Sequence, residues 1–355
     1  MTDVFVVGGG PAGLAAAIAA RQRGFDVLVA DCSAPPVDKA CGEGIMPDGL
    51  AAARALGLEL EGAGYPFRGI RFSGSGRTVE AAFPDGAGMG IRRPVLHEMM
   101  LDRAASLGVR FAWRRHITGL DDIQARWIVG ADGSQSAVRR WGGLDECRRD
   151  TRRFGFRRHY RMAPWSEYMQ IYWGEHSQLY ITPVSPGEVC VVLISRDPHL
   201  RLDDALPEFP EVARRLAAAD SVSAERGAVT ATRRLKAVAR GNLALVGDAS
   251  GSVDAITGEG LCLLFQQSVA LAEAMETGDL GKYRAAHRRI GRRPRLMADL
   301  MLLMDGRRGL RSRALAALSA HPRLFGRMLA MHVGESSPFE FYRTGLALGC
   351  RMLAI

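Results

Sequence analysis

At 355 residues the chain is long for one domain and suits one composite domain or two. Hydrophobic residues make up 47% and charged residues 24%, an ordinary globular balance, and no uninterrupted apolar run approaches the roughly 18 residues that a bilayer span needs. A net charge of +9 invites a nucleic-acid partner, yet Lys39, Lys236 and Lys282 are the only lysines among 47 basic residues and no DNA- or RNA-binding motif accompanies the arginines, so nucleic acid is not expected.

Asp3 to Val7 is a short apolar run suited to a buried parallel strand. Gly8, Gly10 and Gly13 then fit G-x-G-x-x-G: a tight turn, a close backbone approach to a pyrophosphate, and close packing of the next helix on the strand. Pro11 suits the first helical position, and Ala12 to Arg23 reads as a helix ended by Gly24. Val27 to Ala30 predicts a second strand closing on Asp31, roughly 20 residues past the glycines, where such folds place a carboxylate on the adenosine ribose. Strand, glycines, helix, strand and acid in this order predict dinucleotide binding by Gly8, Gly10, Pro11, Ala12, Gly13 and Asp31.

Lys39-Ala40-Cys41-Gly42-Glu43-Gly44 lies between Pro35-Pro36 and Pro47 and reads as a loop. Phe67 to Phe83 is strand-like, with glycine turns at Gly74 and Gly76. Arg92-Arg93-Pro94 opens a helix carrying Met99, Met100 and Leu101 on its apolar side. Trp127 to Val129 leads into Gly130-Ala131-Asp132-Gly133-Ser134-Gln135-Ser136-Ala137-Val138-Arg139. Arg153 to Met162, Tyr168 to Trp173, Leu179 to Pro183 and Glu188 to Ser195 alternate as strands with one packed face. Their aromatics, Phe154, Phe156, Tyr160, Tyr168, Tyr172, Trp173 and Tyr180, either line an apolar substrate pocket or pack as core. Leu243 to Val246 leads into Gly247-Asp248-Ala249, and Asp254 to Gly260 precedes an apolar helix from Leu261 to Met275. Beyond residue 276 the chain is helical, basic and methionine-rich; these helices are expected to cover the dinucleotide domain, the alternative being an apolar face turned to a membrane or lipid.

The G-A-D-G-x-x-S-x-V-R and G-D-A motifs resemble those of the flavoprotein monooxygenases of aromatic-hydroxylase type and the related geranylgeranyl reductases, over most of the chain. The resemblance implies an α/β fold: a Rossmann-like, glutathione-reductase-like FAD-binding domain with an inserted mixed β-sheet substrate domain and C-terminal helices. The corresponding spans are 1–62, 91–145 and 240–275 for FAD, 63–90 and 146–239 for substrate, and 276–355 for the helical end. It implies FAD as cofactor and NAD(P)H as transient co-substrate, with Asp132 and Gly133 beside the flavin, Asp248 after Gly247 at the ribityl-pyrophosphate, Arg93 rather than Arg92 on FAD, and the Cys41-Gly42 loop over the ring.

Thr257, Gly258 and Gly260 would then bring a helix N-terminus, with its partial positive charge, to the N1–C2=O edge of the isoalloxazine. Cys41 either tunes the ring, donates a proton, or is a small buried thiol. His159, Tyr160 and Asp254 are acid–base candidates by type and region only. The leading expectation is hydroxylation of a hydrophobic phenolic or polyketide-type molecule through a flavin C4a-hydroperoxide. The alternative is reduction of isoprenoid or other lipid C=C bonds, to which the wording of Asp254–Gly260 is closer. A flavin-binding sensor without turnover is a third class, and the W-x-W-x-I-P signature of flavin-dependent halogenases is absent. Six cysteines without C-x-x-C spacing and eight histidines without paired-ligand spacing give no reason to expect a metal, and they fit a reducing cytoplasm.

Overall fold

Thr2–Val7 is apolar on both sides, and it becomes an inner strand of a six-stranded sheet. The computed structural model describes residues 2–334 and 338–353. Across this first sheet the order is Ala239–Arg240, Leu243–Leu245, Ala125–Gly130, Thr2–Val7, Val27–Asp31 and Arg110–Trp113. All neighbours run parallel except the hairpin between the first two. Val4 faces Val27 on one side and Trp127 on the other, which brings the ends of three strands to one edge. Helix Pro11–Gln22 packs on this sheet and also against helices Arg93–Ser106 and Gly260–Glu276. Its unbroken buried run from Leu14 to Ala20 follows from being covered on several sides, and alanine lets the neighbouring backbones come close.

The second sheet has eight strands, ordered Asp220–Ser221, Cys147–Arg161, Glu188–Ser195, Ser177–Ser185, Met169–Trp173, Gly69–Gly74 and Arg77–Ala82, with Arg226–Leu235 also paired to Cys147–Arg161. Both faces are packed. Arg153, Arg157 and His159 point to the inner face, whereas Phe156, Tyr160 and Tyr172 join a separate core on the outer face beneath the helices Leu202–Ala205 and Pro210–Leu216. Arg226–Leu235 was not expected from the sequence: it is rich in arginine and small residues, and much of it is exposed. Pairing along Cys147–Arg161, rather than an apolar face of its own, holds it. A third sheet joins Gly44–Ile45, Gly88–Gly90 and Tyr65–Phe67.

The C-terminal helices correct an expectation. Leu280–Ile290 does pack on helix Gly260–Glu276. Arg308–Ala320 and Pro322–His332 instead cover strand Arg77–Ala82 of the second sheet, and Arg292–Asp305 lies on the turn Ala255–Thr257. Their apolar sides therefore face the inner side of the second sheet. Among the described residues no helix is long and apolar enough to cross a membrane.

Candidate active site

A cleft of about 540 Å³ runs between the two sheets and collects the segments that the sequence leaves far apart. Gly8, at the end of the first strand, has φ +110°, and a Cβ there would enter the carbonyl of Ala131. A Cβ on Gly13 would run into the carbonyl oxygen of Gly8, so the third glycine serves helix–strand packing and does not itself line the cleft. Gly10, Pro11 and Ala12 do line it. The helix starts at Pro11 with no side-chain cap, so its first N–H groups face the cleft unclaimed, as an anion site requires. Asp31 also lines the cleft; its carboxylate accepts hydrogen bonds from Gly9 N–H (2.6 Å) and Ser33 N–H (2.7 Å) and keeps lone pairs for a ribose hydroxyl. Below the glycine loop the buried His97 bonds the Gly9 carbonyl through Nε2 (2.9 Å), and burial lowers its pKa.

The second and third motifs are bolted together by a residue to which the sequence reading gave no role. Asp132 and Gly133 line the cleft, but the Asp132 carboxylate caps helix Ala137–Trp141, accepting from Ala137 N–H (2.7 Å), Val138 N–H (3.1 Å) and the Ser136 hydroxyl. From that helix the buried Arg139 donates to Ser134 O (3.0 Å), Ala249 O (3.2 Å) and Asp145 (2.6 Å). It thereby fixes Gly247 and Asp248 beside the second motif. Asp248 is exposed to the cleft; desolvation by the protein packed around the cleft raises its carboxyl pKa, and Arg93 and Lys39 oppose the rise. Gly247 N–H is held by Gln267 (2.9 Å), and Ser250, bonded to Gly247 O (2.8 Å), meets His287 Nε2 at 2.9 Å.

That last contact gives a pH prediction. Burial, with Arg295 and Arg288 nearby, lowers the His287 pKa from 6.5 to about 3, so the folded protein keeps the ring neutral. Between those two values the unfolded chain binds a proton that the fold does not. Stability from this group is therefore complete above about pH 6.5 and falls as pH drops towards 3, by roughly 2 kcal/mol at pH 5. Thermal melts from pH 7.5 to 5 should show a steeper loss in the wild type than in His287→Gln; equal slopes would contradict this assignment.

The Lys39–Gly44 loop lines the cleft along with Arg93. What fixes the loop is Glu43, unassigned in the sequence reading. It sits at a left-handed φ of 60° and is almost fully buried. Its carboxylate accepts from Arg93 N–H (2.9 Å), Arg157 Nη1 (3.0 Å) and His159 Nε2 (2.7 Å). Arg157 also grips Asp38 through both nitrogens at 3.1 Å. Burial alone would raise the Asp38 carboxyl pKa, but the Arg157 hydrogen bond and the charges of Arg157 and Arg226 outweigh it and hold it low. His159 is thus not a cleft residue: it stands behind Glu43, with Ser223 Oγ 2.9 Å from Nδ1, and works as a positioning residue. Tyr160, next in the strand, points into the opposite core. Cys41 lines the cleft; its sulfur accepts from Glu43 N–H (3.4 Å), and Gly42 O accepts from Thr182 (2.8 Å). The Glu43, His159 and Cys190 ligand atoms lie within 4.8 Å of one another, but Arg157 on the same carboxylate makes this an ion-pair network rather than a cation cage.

Asp254 is corrected likewise. It is buried, it caps the turn Ala255–Thr257 through Ile256 N–H (3.0 Å), and it pairs with the buried Arg153 (3.2 Å) instead of facing the cleft. Gly258, at φ +70°, and Gly260 line the cleft, whereas Thr257 faces a second space of about 80 Å³ beyond it. Met169 and Tyr180 border both. This chamber lies between the inner face of the second sheet and the C-terminal helices, and six methionines, Met46, Met169, Met297, Met301, Met304 and Met328, contribute to its wall. Of the seven aromatics proposed from sequence, Trp173 and Tyr180 reach it. Phe156, Tyr160 and Tyr172 pack on the outer face, and Tyr168 stacks with Arg68 and Arg71.

These residues fit FAD: an uncapped helix N-terminus beside glycines with no room for a side chain, Asp31 in the cleft wall, and Arg93, whose buried Nε has no protein partner. The FAD binding domain family matches residues 98–278, just over half of the chain, and another family of that description matches residues 3–44. The chain belongs to the FAD binding domain family, and it is an FAD-dependent oxidoreductase. It is 29% identical to menaquinone reductase of Mycobacterium tuberculosis, over 79% of this chain and 78% of that protein. With digeranylgeranylglycerophospholipid reductase 2 of Methanosphaera stadtmanae it shares 25%, over 79% and 80%. In fold it resembles a flavoprotein/dehydrogenase from Cytophaga hutchinsonii (TM-score 0.82, 18% identity, 99% and 98% covered). A geranylgeranyl bacteriochlorophyll reductase-like protein of Thermoplasma acidophilum has the same fold (TM-score 0.72, 19% identity, 99% and 98% covered).

Proposed function

We propose that the protein saturates a carbon–carbon double bond in a long apolar substrate of isoprenoid type, with NAD(P)H as the ultimate reductant. The observation that carries this reading is the chamber. It borders the flavin cleft, with Met169 and Tyr180 lining both, and its polar atoms are mostly spent: Tyr180 OH donates to Ile256 O (2.9 Å), Trp173 Nε1 to Asp305 (3.3 Å) and Thr257 Oγ1 to Asp254 O (3.2 Å). Such a wall has little to orient a phenol, which needs a hydrogen-bond partner, but it suits a hydrocarbon chain. Methionines, unbranched and polarisable, can repack around a chain wider than the space of about 80 Å³. That curated relatives are named reductases supports the same choice over the hydroxylation favoured by sequence alone.

Reduced FAD, when bound, supplies a hydride. The chain's own residues do the rest: the Glu43 network holds the cleft loop, Tyr180 and Met169 stand between the two spaces where a double bond would meet the ring, and the C-terminal helices keep water from the hydrocarbon. Titrating the holoprotein with polyprenyl alcohols of increasing length and with small phenols, while following flavin absorbance, tests this. Long polyprenyl chains should perturb the spectrum and bind more tightly with each added unit. Tight binding of phenols with no response to polyprenyl chains would overturn it.

A further inference from the structure

At the flavin end of the chamber one polar side chain on the wall has an unused hydrogen-bonding atom: His332, at the end of helix Pro322–His332, whose Nδ1 is buried without a partner. Its neighbour Thr257 also lines the chamber, and the next residue, Gly258, lines the flavin cleft, so the imidazole stands close to where the two spaces meet. Behind it, 3.7 Å from Nδ1, is Oε1 of Glu259, the residue between the two cleft-lining glycines. Glu259 is 4% exposed, and its Oε2 also lacks a partner. Asp48, from helix Pro47–Ala55, faces the same pair; Oδ2 accepts from Gln266 (2.9 Å), Oδ1 is unpartnered, and the residue is only partly buried. Among the described residues Asp48, Glu259 and Cys262 are the titratable groups around this imidazole and its acid.

Three unpartnered buried polar atoms beside an apolar chamber are costly unless they serve a reaction. We propose that His332, loaded by Glu259, donates the proton that completes saturation of the double bond. This rests on the reductase reading above. One alkene carbon receives a hydride, carrying both electrons, from reduced FAD; the π bond breaks, and the other carbon takes a proton from His332. As the imidazole gives up that proton from one nitrogen, Nδ1 takes the proton of the Glu259 carboxylic acid. Glu259 is left as carboxylate and is reloaded from solvent on the Asp48 side. The charge states suit this sequence. Burial, and then the charge of Asp48, raise the Glu259 carboxyl pKa well above its usual range, against a hydrogen bond from the Thr257 side chain, and so favour the protonated acid. Burial lowers the His332 pKa, opposed by Asp48 and the Thr257 carbonyl, so the ring starts neutral.

The test compares wild type, His332→Gln, Glu259→Gln and Cys41→Ser as holoproteins, each first checked for bound FAD and for flavin reduction by dithionite. With a polyprenyl substrate, saturation should fall about 10²-fold in His332→Gln and in Glu259→Gln, and no further when the two are combined. Histidine-¹⁵N NMR on the holoprotein gives a readout independent of turnover: the His332 Nδ1 resonance, which faces the acid, should shift in Glu259→Gln. An unmoved Nδ1 resonance, or wild-type saturation rates in His332→Gln whether or not a loss appears in Cys41→Ser, would overturn the proposal alone. A wild type that saturates no isoprenoid double bond would instead remove the reading on which it rests.

Discussion

Gly13→Ala will yield protein that does not retain FAD. The added Cβ would meet the Gly8 carbonyl oxygen, a backbone atom that no rotamer change can move aside. Helix Pro11–Gln22 must then tilt off the strand, and its N-terminal N–H groups leave the position where they meet a pyrophosphate. The packing loss adds to the loss of binding, because this helix is buried from Leu14 to Ala20 against two further helices. Strain between fixed backbones of this kind belongs among the larger single-residue effects, about 4 kcal/mol or more. Gly10→Ala is the contrast: a Cβ there meets nothing within 4 Å, so the fold and melting temperature should survive while FAD affinity falls through contact with the cofactor itself. Absorbance of the purified proteins and thermal melts separate the two. A yellow Gly13→Ala protein with wild-type stability would contradict this packing account.

Glu43→Ala is the second large effect. Its carboxylate serves the buried Arg157 and His159 and the half-buried Arg93 backbone at once. Removing one member of a buried ion pair leaves the other charge uncompensated, at about 3–5 kcal/mol. Asp38 still faces Arg157, so the lower end applies, with a fall in melting temperature of roughly 4 °C for a chain of this length. Arg157→Ala should cost a similar amount, and the double variant much less than the sum, because the two residues stabilise the same loop. Additive losses, or a fall below about 2 °C for Glu43→Ala, would show that the network does not hold the Lys39–Gly44 loop.

The dinucleotide fold was legible because its signals are local. Gly8 to Gly13, Asp31, Asp132 and Gly247-Asp248 each sit within a few residues of the strand that positions them, so spacing alone brings them to one sheet edge. Glu43 was not legible, because its partners Arg157 and His159 lie 114 and 116 residues away on another sheet. Arg139 stood in plain view within its motif, but its role depends on the Ala249 carbonyl, 110 residues on. Alternation along Cys147–Arg161 and Met169–Trp173 marked two-faced strands without saying which face met the cleft. With both faces packed, residues of one type divide between the pocket and the outer core: Trp173 went one way and Tyr172 the other. The apolar stripes of the last helices announced burial, but their partner, the hairpin near Arg77–Ala82, carries no matching mark in the sequence.

The most direct test of the central claim is a single turnover with a polyprenyl lipid, followed by mass spectrometry. The FAD-loaded protein is reduced under nitrogen, mixed with the lipid, and compared with a parallel sample given ¹⁸O₂. Double-bond reduction predicts a product that gains two hydrogens without oxygen present and carries no label when oxygen is supplied. An unchanged lipid under nitrogen, with ¹⁸O in the product once oxygen is admitted, would contradict the claim and return the protein to the oxygenases.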